Sequence, residues 1–159
     1  MRRLLILLPL VAALAVPTTA AAVEPTRETV TLHRVVNPLI TCPGFSVVGT
    51  FDIARETTTF YDEAGTPIKR IVHNTITGTL TNAVTGYTLP TAGVRVFHYD
   101  LTTGELFTTG DNNVTHLPGA GTSIPGAGRL VFDAQGHLIE HVGPDSADEI
   151  AQLCAALAA

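Results

Sequence analysis

Lysine occurs once in the 159 residues, at Lys69, against eight arginines and 14 acidic residues. There is no run of basic residues anywhere. Nucleic acids and anionic lipid surfaces both require such a footprint, so neither is an expected partner. Cysteine is almost as scarce, with only Cys42 and Cys154. No apolar run reaches the ~20 residues that a membrane-crossing helix needs, so no stable membrane anchor is expected. Catalytic signatures are missing as well. No G-x-S-x-G elbow is present, and no Gly-Lys-Ser/Thr follows the glycines between residues 119 and 128. The nucleophile elbow and the phosphate loop are thereby excluded, and no catalytic residue, cofactor or metal is assigned. No internal repeat and no low-complexity tail interrupts the chain.

What is there begins with an export signal. Arg2 and Arg3 precede an apolar run from Leu4 to Val16, and small residues follow up to Ala22. A positive start, a short apolar stretch and an A-x-A-like end mark a cleavable secretory signal over residues 1–22, with cleavage expected after Ala22. Residues 23–159 then make one domain by length. Loss of Arg2 and Arg3 leaves seven basic against 14 acidic residues, a formal charge of −7. In a secreted, extracellular protein an even pair of cysteines reads as one intramolecular disulfide, Cys42–Cys154. The alternatives are two buried thiols or a bridge between chains.

The dominant periodicity is two. Phe45, Val47, Gly49, Phe51 and Ile53 alternate with Ser46, Val48, Thr50 and Asp52, which is the pattern of a half-buried strand. Further strands are expected at 57–61, 67–81, 87–89, 94–99, 105–109, 114–117, 129–132 and 137–142. Turns are expected at Asp62–Gly65, Asn82–Gly86, Asp100–Gly104, Asp111–Asn113 and Asp133–Gly136, where Asp, Asn and Gly cluster. Pro90 points to an edge or a bulge, and Pro118–Gly128 to a long loop. Only the end reads as helix. Ser146 and Glu149 match a capping box, with Asp145 and Asp148 at the favourable end of the dipole. Ile150, Leu153, Cys154 and Leu157 form one apolar stripe over 146–158. The expected fold is all-β: an antiparallel β-barrel of about 8–10 short strands with a C-terminal helix, the alternative being a β-sandwich.

The residues that stand out are polar ones on apolar faces. Arg70 and Asn74 share a strand face with Ile68, Val72 and Ile76, and His98 shares one with Val94 and Val96. Buried charges and amides must be paired or hydrogen-bonded. These three side chains are therefore candidates to line a lumen that binds a small molecule. The competing reading puts them outward, solvated near a strand end. His137 and His141 lie about 13 Å apart along a strand, too far to share a metal ion. Ser46, His98 and Asp100 have the residue types of a catalytic triad but no motif to place them together.

Three stretches carry a resemblance: Cys42-Pro43-Gly44-Phe45-Ser46-Val47, then Gly78-Thr79-Leu80-Thr81-Asn82 with Thr85-Gly86, then Leu153-Cys154-Ala155. In these the chain resembles small exported actinobacterial proteins of uncharacterised function. More distantly, its strand succession is similar to the barrels of allene oxide cyclase and dirigent proteins, which implies a fold and no activity. The leading expectation is a secreted, non-catalytic barrel that binds a small apolar or amphipathic molecule. The alternatives are an isomerase- or cyclase-like enzyme and a protein-interaction module at the cell surface.

Overall fold

Asp or Asn followed a few residues later by Gly sets the hairpins, and the hairpins set the sheet. At each bend one carboxylate or amide oxygen accepts hydrogen bonds from backbone N–H groups two to four residues on. Asp62 accepts from Ala64 and Thr66, and Asn82 from Val84 and Thr85. Asp100 accepts from Thr102 and Thr103, and Asp133 from Gln135 and His137. Gly65 and Gly136 complete two of these turns at φ of 81° and 83°, a region that costs a glycine little.

The computed structural model describes residues 23–159 apart from Asp145. The signal sequence read over residues 1–22, and Asp145 in the helix cap, lie outside the described residues. The strands are β1 (Thr26–Cys42), β2 (Phe45–Tyr61), β3 (Pro67–Asn82), β4 (Thr88–Asp100) and β5 (Leu106–Leu117). Three short ones follow: β6 (Gly121–Ser123), β7 (Arg129–Phe132) and β8 (Leu138–Val142). The helix α1 covers Ser146–Leu157. All ladders are antiparallel, in the order β1-β2-β3-β4-β5-β7-β8, with β6 on the far half of β5.

The antiparallel all-β class and the C-terminal helix are as the alternation and the stripe predict. The eight strands fall within the expected number, but β1 to β5 run 12 to 17 residues rather than being short. The stretches 45–53 and 57–61 are one strand of 17 residues. Asp111–Asn113 is no turn but part of β5, where the register with β4 shifts across Ala92 and Val94. An extra residue absorbed as a bulge lets the strand run on. Pro90 lies inside β4, an interior strand, one residue before its ladder to β5 begins at Thr91. β1, which the alternation does not predict, is an edge strand exposed over most of its length. No ladder joins β1 to β8 among the described residues, so hydrogen bonds do not close the sheet.

The helix spans that opening. α1 touches β1 at one end of the strand order and β5 and β6 towards the other, which requires the sheet to curl. The disulfide Cys42–Cys154 ties it to the end of β1. Ser123 Oγ donates to the Glu149 carbonyl, and the Ile124 N–H donates to the Glu149 carboxylate. Asn82 Nδ2 donates to the Leu157 carbonyl at the helix C-terminus. Leu153 and Leu157 enter a core with Val47, Phe51, Ile53, Ile76, Leu80, Leu89 and Leu117. Gly49 and Gly78 leave room in it. A Cβ on either would meet the Phe51 ring, which lies across both. That covering restores packing to two strand glycines.

Candidate functional site

The strand register arranges the inner face in rows, and the rows change character halfway along. Gly49, Leu80 and Leu89 are aligned across three strands, then Ile53 with Ile76. The next row is Arg55, Asn74 and Arg95. Beyond it come Thr57, Val72 and Phe97, then Thr59, Arg70 and Tyr99. The helix covers the first rows and stops short of the last. Here the inner face opens into a cavity of about 490 Å³, lined by Glu28, Arg55, Thr57, Thr59, Arg70, Val72, Phe97 and Tyr99. Ligand pockets for small molecules fall in the range of roughly 300–1,000 Å³.

The polar row forms the boundary between core and cleft. Arg55 Nε donates to Asn74 Oδ1 at 3.0 Å, and Asn74 is only 4% exposed. Arg95 is 7% exposed and forms no ion pair among the described residues. It donates to Thr108 Oγ1 at 2.7 Å and to the Gly126 carbonyl at 3.2 Å. Burial pulls the Arg95 pKa down, yet a guanidinium stays charged at any ordinary pH. The stretch 118–128, expected as one long loop, contains the strand β6; past it the chain folds inward and supplies that carbonyl, with Ser123, Pro125 and Ala127 buried. Phe97 and Tyr99 form an aromatic wall, their ring centroids 6.3 Å apart and their planes within 14°.

Arg70 and Asn74 therefore do share the inner face, Arg70 lining the cavity and Asn74 bracing Arg55 below it. His98 does not join them. The pairs Arg70↔Tyr99 and Ile71↔His98 place it on the opposite face of the sheet. β4 carries large side chains on both faces, so alternation alone cannot choose between them; the register with β3 does. Arg55, Arg95, Phe97 and Tyr99 are the residues that sequence reasoning missed. Arg55 carries the signal of parity, being two residues beyond Ile53 on the same face.

On the outer face His98 stacks on Phe107, with centroids 4.2 Å apart. It borders a second cavity of about 410 Å³ with Lys69, Asp100 and Glu105. Its Nδ1 is buried without a hydrogen-bond partner. Burial, and then the Lys69 charge, lower its pKa from the ordinary 6.5. The protonated form is thus disfavoured more in the folded chain than in the unfolded one. Stability contributed by neutral His98 is present above pH 6.5 and is lost as pH falls toward the folded-state pKa. The melting temperature of the wild type should accordingly fall more between pH 7.5 and pH 5 than that of His98→Phe; parallel curves would refute this.

Ser46 cannot complete a triad with His98 and Asp100. His98 is level with Thr58 through Ile71, and Ser46 lies about 40 Å along β2 from Thr58. His137 Nδ1 instead meets Asp133 Oδ2 at 3.1 Å, at the turn. No group of three His, Cys, Asp or Glu among the described residues is placed to hold a metal ion. No helix among them is long and apolar enough to cross a membrane. No protein-family model, no curated protein and no solved structure matches the chain.

Proposed function

We propose that the protein is exported and binds a small amphipathic molecule in the inner-face cleft, without chemistry of its own. One observation carries the reading. The face that packs as core over Val47, Leu80 and Leu89 opens, on the same strands, into a cavity mixing arginine, threonine, valine and aromatic side chains. A face built only for stability would continue apolar or close over. A few placed polar groups among apolar ones are the ordinary make-up of a ligand pocket. Export is supported by the disulfide, which persists in oxidising compartments, and by the signal-like residues 1–22.

Native mass spectrometry tests this on protein recovered from the culture medium of cells secreting the full chain. It is recorded directly, and again after incubation with a library of small acids, alcohols, esters and amines. One compound retained at equal stoichiometry, and lost when Thr57→Trp fills the cleft, is the expected result. Protein found only at its bare mass under both conditions would reject the reading.

A further inference from the structure

The lining of the cleft says which class of amphipathic molecule it suits; this inference rests on the cleft being a binding site. Arg55 and Arg70 form no ion pair among the described residues. Both line the cavity, in a chain whose formal charge is −5. Unpaired guanidinium groups on one face of an acidic protein focus an attractive field for an anion.

The two arginines differ in readiness. Arg70 is exposed, and its side chain must be ordered on binding. Arg55 is half-buried, and its Nε is already engaged by Asn74. The Asn74 contact holds the guanidinium at Nε and engages neither terminal nitrogen. A preset fork of donors matches the two oxygens of a carboxylate. Glu28, the one carboxylate lining the cleft among the described residues, limits how much negative charge it accepts. Two guanidinium groups against one carboxylate leave a single positive charge, which suits a monoanion.

The body of the ligand is set by the next rows. Successive rows lie about 7 Å apart along the strands. Val72 with Phe97, and then Tyr99, follow the Arg55 row. Nearly parallel rings set side by side present a flat wall, and flat apolar groups stack on such a surface. Thr57 and Thr59 face that wall from β2.

We propose that the cleft takes a monocarboxylate joined to a flat apolar body, the carboxylate on Arg55 and the body against Val72, Phe97 and Tyr99. Isothermal titration of the full mature chain with naphthylacetate, naphthylethanol and naphthylethylamine tests it, since the three differ chiefly in the charge of the head. The acid should bind tighter than the alcohol by about tenfold or more, as a charge-assisted pair allows. Arg55→Met should bring acid and alcohol within about twofold of each other, and Arg55→Lys should keep part of the difference. Should Arg55→Met fail to fold, a salt titration of the wild type replaces it. The acid's advantage must shrink as salt rises while alcohol binding holds.

Alcohol or amine binding as tightly as acid would overturn the inference and leave the cleft as a binding site. The same holds if none of the three binds while the library yields a neutral ligand. Absence of binding by the three and by the library together would reject the proposed function itself.

Discussion

Removing both cysteines, as Cys42→Ala with Cys154→Ala, is expected to lower the melting temperature by about 10–20 °C. The bond spans 112 positions of sequence. Closing so long a loop removes about 4–5 kcal/mol of chain entropy from the unfolded state in the polymer model. The fold adds a second reason for a large effect. The opening between β1 and β6 is bridged by α1, and Cys154 is its covalent tie to β1. The double variant avoids leaving one buried thiol. Wild-type protein melted with reductant should match it. A fall of less than about 3 °C in both would show that packing alone holds the helix.

Leu153→Ala tests that packing. Leu153 is fully buried on the stripe facing the core. Truncation of such a leucine costs about 2–5 kcal/mol, read from the denaturant midpoint at an unchanged slope. The two changes should not add. Once the tie is cut, the helix end is already looser, and Leu153→Ala should cost about 0.5–3 kcal/mol less in that background. Strict additivity would mean that bond and leucine act on separate units.

The parts of the fold legible in the sequence are those with local causes. Turns at Asp62, Asn82, Asp100 and Asp133 are written in residues that hydrogen-bond to their own neighbourhood. The stripe of Leu153, Cys154 and Leu157 is likewise local, and all three are buried. β1 was not legible because Arg27, Glu28, His33 and Arg34 break its apolar alternation. Its residues gain their place from pairing with β2 rather than from burial. The cleft was half legible. Arg70 and Asn74 announce themselves among Ile68, Val72 and Ile76. Arg95 does not, since Val94 and Val96 beside it mimic an inward face. Which face of β4 turns inward is decided by its ladder to β3, a fact of pairing between distant segments.

The strands that form the core run on unbroken into the cleft, and this makes the site a cantilever. Its fixed end is clamped by the helix, while its free end bends only as far as the hydrogen-bonded ladders permit. Anchorage and grip thus occupy different spans of the same beams. Weakening the clamp would shorten the life of the whole molecule and leave affinity at the free end unchanged while the molecule lasts.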